Sequence, residues 1–201
     1  MTIILILITT VVSYAAFNNP KLMDKLQFNA SKVYYKKEYH RLITHAFIHA
    51  NWEHLFVNMI VLFSFGTAIE QYFKYIFGNK YIQYYFLLYF GGILVSNIYA
   101  LIKHRKNYFY NSVGASGAVS AVLFAAIFFN PWGEILFFLI LPIPGIVFAA
   151  LYLVYSYQMS MKKKDNVAHD AHFLGALYGF IFPIMINPQL FGEFIDKLFR
   201  L

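Results

Sequence analysis

Six long stretches without a charged side chain divide this sequence: 1–20, 54–69, 81–102, 107–133, 135–161 and 171–192. Crossing the hydrocarbon core of a bilayer takes about 20 mostly apolar residues, with a range of about 17–25. The stretch 54–69 falls short by itself but extends through Glu70 to Phe73, with the acid near the headgroups. The chain is 60% hydrophobic and 12% charged, where a soluble domain carries about 45–50% and about 25%. These features predict an all-α, polytopic membrane protein with spans near 3–17, 54–73, 81–102, 117–129, 144–159 and 172–187. The loop 18–53 lies at the interface, and residues 1–201 form a single membrane-embedded domain.

Several function classes drop out. The net charge of +7 fits lysines that snorkel to headgroups at span ends, and no nucleic-acid motif accompanies it. Membrane lipids are therefore the expected partner of this charge. The absence of cysteine removes disulfides, thiol nucleophiles and Cys-based zinc sites. Ile3–Phe17 lacks the basic leader of a signal peptide and reads as a retained first span. Loop 18–53 holds six of the sixteen Lys and Arg residues. Within it, Pro20, Leu22 and Leu26 interleaved with Lys21, Asp24 and Lys25 predict a short amphipathic helix. Asn130-Pro131 ends the fourth helix, Pro142 and Pro144 interrupt the next run, and the following helix is expected near Pro144. Phe191, Phe194, Ile195 and Leu198 recur at helical spacing, as an amphipathic tail would.

Chemistry concentrates at Gly114-Ala115-Ser116-Gly117-Ala118. From Gly117 to Phe129 there are 13 residues, a helix about 20 Å long against a hydrocarbon core about 30 Å thick. With Asn130-Pro131 at one face, Ser116 falls about 10 Å below the other. Asn107–Val113 must then dip into the bilayer, which irregular backbone tolerates only where protein buries it or water reaches it. A water-filled cavity above Ser116 follows.

A partner for the serine lies in the sixth span, where His172 is expected to open the helix. Gly175 and Gly179 form a small-residue stripe that lets another backbone approach closely, and Gly117, Ala121 and Ala125 form a matching one. Packing the two stripes brings His172 beside Ser116, where a neutral imidazole takes and returns a hydroxyl proton. Either stripe alone is ordinary membrane packing; together, at the mouths of two short helices, they suggest a site. His54 and Asn58 are four apart and share a helix face, from which both can donate to an oxyanion. Interhelical hydrogen bonding is the plainer explanation of that pair. His45 and His49 have metal-ligand spacing, but the sequence contains no His-Glu-x-x-His motif, and neither a metal nor a cofactor is expected.

Three segments taken in order resemble the bacterial rhomboid family of intramembrane serine proteases, of six-helix core type. They are Arg41–Asn58 (RLITHAFIHANWEHLFVN), Gly114–Gly117 (GASG) and Ala171–Gly179 (AHFLGALYG). The resemblance implies a Ser-His dyad of Ser116 and His172 that hydrolyses peptide bonds in or beside transmembrane segments of substrate proteins. It implies oxyanion donors at Asn58, His54 and the Ser116 N–H, a nucleophile loop at Gly114, and a cap over the cavity from 159–170. Many bacterial relatives carry a tyrosine four residues past the nucleophile, stacked on the catalytic imidazole. Here that position is Ser120, which leaves the support of His172 unassigned. The resemblance also implies a multi-pass protein of the cell membrane with its site on the extracytoplasmic side. By contrast, twelve of the sixteen Lys and Arg fall in loops 18–53, 103–113 and 159–170, which the positive-inside rule places in the cytoplasm. A rhomboid-like protein that binds transmembrane helices without cleaving them is the competing class. A transporter is weaker, because no ionisable pair stands in the centre of two spans.

Overall fold

The computed structural model describes residues 1–137, 140–162 and 167–199, apart from the side chain of Phe137, and is mostly helical. Helix α1 (Thr2–Phe17) leads into three short helices, α2 (Pro20–Leu26), α3 (Ala30–Lys36) and α4 (Arg41–Thr44), the last continued by a 3-10 turn at His45–Phe47. Asn19 and Asn29 cap α2 and α3 by accepting from Leu22 N–H at 3.1 Å and Lys32 N–H at 2.8 Å. The sequence pattern anticipated α2; the helices α3 and α4 are additions. Asn51 caps α5 (Trp52–Phe77) through His54 N–H at 2.8 Å, and Gly78 at φ +54° ends it. Helix α6 (Tyr81–Lys103) returns alongside it, and α7 (Ser116–Phe129) follows an irregular segment.

Pro142 and Pro144 do more than interrupt a helix. Strand β2 (Leu141–Pro144) pairs antiparallel with β1 (Glu134–Phe137), Glu134 opposite Pro144 and Leu136 opposite Pro142. Prolines fit a strand with one neighbour, where an N–H can be missing without breaking a ladder. This small hairpin departs from the all-α expectation. Helix α8 (Gly145–Lys162) starts directly after it, α9 (His169–Ile186) follows, and α10 (Leu190–Phe199) turns away from α9 by 120°. Because α9 begins at His169, His172 sits within its first turn and does not open the helix. In α10, Leu190 and Phe194 are buried while Phe191 is half exposed, so Leu190 replaces Phe191 in the expected stripe. Residues 200–201 of that tail lie outside the described residues. Lys197 Nζ donates to Phe129 O at 3.2 Å, closing a carbonyl at the end of α7 that no helical N–H reaches.

Helix α7 is the axis of the molecule. Every residue from Gly117 to Phe129 is buried, with α5, α6, α8 and α9 packed around it. Backbones touch on two sides. A Cβ on Gly92 of α6 would lie 2.9 Å from Ala121 Cβ and 3.1 Å from Ala118 Cα. On the α9 side, a Cβ on Gly175 would overlap the Gly117 carbonyl, and one on Gly179 the Ala121 carbonyl. By length and apolarity, Trp52–Lys103, which contains α5 and α6, is the stretch among the described residues that can cross a membrane unaided. The α9–α10 pair qualifies only jointly, and α1 and α7 are apolar but shorter.

The α7–α9 contact predicts a sharp difference between two glycines. Gly179→Ala should lower stability by about 1–3 kcal/mol, the usual cost of overpacking. Gly192→Ala, with nothing within 4 Å of its added methyl, should leave it unchanged. Thermal unfolding in detergent measures both, and equal midpoints would contradict the packing.

Candidate active site

Ser116 is the first residue of α7, held by the loop before it. Gly114 has φ +116°, a conformation that side chains disfavour, and a Cβ there would lie 2.6 Å from His54 Cε1. Only glycine satisfies both conditions. Its N–H donates to His45 O at 3.0 Å, and the next N–H, of Ala115, donates to His49 Nε2 at 3.4 Å. Loop 18–53 therefore grips the two residues before Ser116.

The two gripping histidines are themselves fixed. His45 Nδ1 lies 2.9 Å from Arg41 O, an atom that only accepts, so Nδ1 carries the proton and Nε2 accepts from Asn97 Nδ2 at 2.9 Å. His49 Nε2 accepts from Ala115, which leaves its Nδ1–H to donate to Ser13 Oγ at 2.9 Å. Burial pushes His45 down to about 4. Burial, and then the neighbouring His54, push His49 down to about 3. Both rings are neutral at physiological pH. Beneath them Arg41, 3% exposed, donates to Glu38 Oε2 at 2.6 Å, to Gln27 O at 2.8 Å and to Asp24 O. Thr44 Oγ1 adds a bond to Leu26 O at 2.8 Å. Arg41 thus ties α2, α4 and the turns between them into one unit.

Where the stripes of α7 and α9 meet, His172 Nε2 lies 2.7 Å from Ser116 Oγ. A hydroxyl and an imidazole nitrogen at that distance can exchange a proton directly. His54 stands over Gly114, its ring 4.9 Å from the His49 ring in an edge-on contact. Asn58 is buried on the same helix face, and its Nδ2 donates to His54 O at 2.8 Å. Asp170 accepts from Ala171 N–H at 2.9 Å, a local bond in its own helix turn.

One neighbour of His172 was invisible in the sequence. The Tyr152 ring of α8 stacks on the His172 ring, centroids 6.5 Å apart and planes 23° from parallel. Its hydroxyl is bonded to Ser120 Oγ at 2.7 Å. Nothing in the pattern of α8 marks this tyrosine among the seventeen in the chain. The usable signal was Ser120, a buried hydroxyl inside an apolar helix that requires a partner.

Beside the Ser116–His172 pair, a cavity of about 380 Å³ opens among Lys103, His104, Tyr110, Ser112, His169 and Asp170. Its lining reaches Ser112 and His169 but includes neither Ser116 nor His172, so it adjoins the pair and does not enclose it. Of the expected cap 159–170, residues 163–166 lie outside the described residues. Among the described residues, no three His, Asp or Glu side chains gather as metal ligands would; His45 and His49 spend both ring nitrogens on protein partners.

A histidine whose native value is depressed binds its proton only on unfolding, so the unfolded state gains stability as pH falls below about 6.5. With His45 and His49 both in this class, stability should fall as pH drops from 7 towards 4, by up to about 1.4 kcal/mol per pH unit for each ring. Asp24 and Glu38 are held low by their bonds to Lys32 and Arg41 respectively, and their contribution disappears below about pH 4. Unfolding midpoints across this range should therefore decline with acid, with a shallower slope in His49→Gln. A flat profile above pH 5 would contradict the neutral, buried rings.

A family model for the Rhomboid domain matches residues 36–189. The chain is 26% identical over 180 residues to RHOMBOID-like protein 12, mitochondrial, of Arabidopsis thaliana, covering 82% of this chain and 51% of that protein. It is 30% identical over 179 residues to RHOMBOID-like protein 1 of the same plant, covering 84% of this chain and 40% of that one. An uncharacterized mitochondrial rhomboid protein of Schizosaccharomyces pombe shares 32% identity over 83 residues, 39% of this chain and 21% of its own length. The chain spans about half the length, or less, of these relatives.

Proposed function

Because the chain belongs to the rhomboid family, whose members are membrane proteins, we propose that it is an intramembrane serine endopeptidase acting through Ser116 and His172. The observation that carries this reading is the 2.7 Å contact between His172 Nε2 and Ser116 Oγ, made where two glycine-lined helices meet.

In the proposed reaction, Ser116 Oγ attacks the scissile carbonyl carbon while His172 Nε2 takes the hydroxyl proton. The negative charge that develops on the carbonyl oxygen is met by the Ser116 N–H, the second amide hydrogen of Asn58 and the His54 ring. Collapse breaks the C–N bond, and His172 passes its proton to the leaving amine. Water then attacks the Ser116 ester, His172 again accepting and returning the proton, and the new carboxyl end is released. Donors held in place where water is scarce stabilise this charge most effectively.

In the membrane, α1, α5, α6, α7, α8 and α9 are the six spans of one domain, and the loop with α2 to α4 lies in the interface. At 14 residues, α7 is about 21 Å long, shorter than the core of about 30 Å, which sets Ser116 below the surface. Substrates are transmembrane proteins. A stable helix hides its carbonyls in hydrogen bonds, so cleavage sites carry helix-weakening residues that let the backbone unwind towards Ser116. The setting is the cell membrane, with the site opening to the extracytoplasmic side. The basic interfacial loop sits at headgroup depth and so escapes the loop-charge rule.

Detergent-solubilised protein should react with a fluorophosphonate probe, labelling should vanish in Ser116→Ala and fall strongly in His172→Ala, and Asn58→Ala should cost about 10²–10³ in rate. Equal labelling of wild type and Ser116→Ala would overturn the protease in favour of a non-cleaving binder of transmembrane helices. Orientation is read separately. A cysteine replacing the exposed Lys106 should react with a membrane-impermeant maleimide on intact cells, and protection until lysis would reverse the assignment.

A further inference from the structure

The His172 ring has a support that comes from a different helix than its hydrogen-bond partner. Ser116 and Ser120 stand one turn apart on α7. Ser116 Oγ meets the His172 imidazole edge at 2.7 Å, while Ser120 Oγ holds the Tyr152 hydroxyl at 2.7 Å. The Tyr152 ring, anchored there, lies against the face of His172 at 6.5 Å and 23°, an offset stack of ordinary geometry for aromatic pairs. Tyr152 also packs on Phe148, centroids 5.7 Å apart and planes at 30°, and it meets Phe124 of α7 at 5.4 Å. His169 abuts His172 edge-on at 5.9 Å. The imidazole is thus bounded on its face by Tyr152 and at its edges by Ser116 and His169.

We propose that Tyr152 is a positioning residue for His172, and that Ser120 acts through it by fixing the tyrosine hydroxyl. An imidazole near the start of a helix has two rotatable side-chain bonds, and a hydrogen bond in the ring plane restrains the tilt of that plane less than a ring stacked on its face does. The stacked ring limits this tilt and keeps Nε2 aimed at Ser116 Oγ while the proton moves. Catalytic geometry is sensitive to displacements of this kind. The Tyr152 hydroxyl is bonded to Ser120, while Ser116 is bonded to His172. The arrangement also links α8 to the site, because Tyr152 of α8 lies against His172 while its hydroxyl is held by Ser120 of α7.

This proposal rests on the Ser116–His172 reading, and the experiment separates the two. Fluorophosphonate labelling rates and peptide cleavage are compared for wild type, Tyr152→Leu, Tyr152→Phe and Ser120→Ala, each first checked for folding by its thermal midpoint. Tyr152→Leu should slow labelling about fivefold to tenfold, the size expected for one aromatic stack. The loss should fall in kcat with KM unchanged. Tyr152→Phe, which keeps the ring and loses the tether, should recover most of the rate, and Ser120→Ala should match it. The ring protons of His172, identified by their disappearance in His172→Gln, should shift downfield in Tyr152→Leu because the shielding ring is gone. Wild-type kcat and an unmoved His172 resonance in a folded Tyr152→Leu would overturn the proposal while Ser116-dependent labelling persists. Should Tyr152→Leu fail to fold, Ser120→Ala and Tyr152→Phe decide: unequal effects of the two on kcat would overturn it. Failure of the dyad reading looks different, with wild type and Ser116→Ala labelled alike.

Discussion

Backbone-to-backbone contact between α7 and α9 is the constraint from which the rest of this molecule follows. In lipid the hydrophobic effect does not press helices together, because the alternative surroundings are as apolar as the interface. Association relies on close van der Waals packing and on lipid displacement, which small residues permit. Gly175 against Gly117, and Gly179 against Ala121, bring two helices within reach of each other's carbonyls. That approach fixes the relative height and rotation of the two helix starts. Ser116 and His172 stand at those starts, so their 2.7 Å contact is a product of packing as much as of chemistry. A larger residue at either glycine would part the pair without altering a reacting group.

A second system sets the serine from above. Arg41 gathers carbonyls and a carboxylate from α2 and the turns around it. The adjoining segment presents the His45 carbonyl and His49 Nε2 to the N–H groups of Gly114 and Ala115. Irregular backbone next to an apolar helix is viable because each of these N–H groups finds a partner. Neutral imidazoles fit such a buried junction, since each offers one donor and one acceptor and neither carries a charge that would be costly to bury. Histidines that look like metal ligands by spacing are here spent on hydrogen bonds, His45 to Arg41 O and Asn97, His49 to Ser13 and Ala115.

The two systems meet at Ser116 from opposite directions, one through α9 and one through the interfacial loop, while α8 contributes Tyr152 from a third. A hydroxyl held by groups on separate elements is placed more narrowly than one held by a single loop. Of the four helices packed around α7, α8 touches it most lightly and leans on α9 instead. Few of its residues are buried, and the exposed Leu151, Val154 and Tyr155 face outward.

How much of this was legible in the chain depends on the range of the interaction involved. Uncharged runs marked α1 and α5 to α9 to within a few residues, because apolarity over a span is a local property. The glycine spacing at 117, 175 and 179 was readable for the same reason, as was the pairing of stripes that it allowed. Pro142 and Pro144 revealed a break but not the hairpin, since a strand pair exists only once Glu134–Phe137 lies opposite. Asn97 bonding to His45 and Tyr152 lying on His172 join residues 52 and 20 positions apart. No local pattern distinguishes such a tyrosine or asparagine from its neighbours. Sequence alone determined the helical class, the candidate serine and histidine, and the stripes through which they could meet. Only the tertiary structure decided which rings and amides surround them, because those contacts depend on the relative rotation of separate helices, a quantity that no single segment encodes.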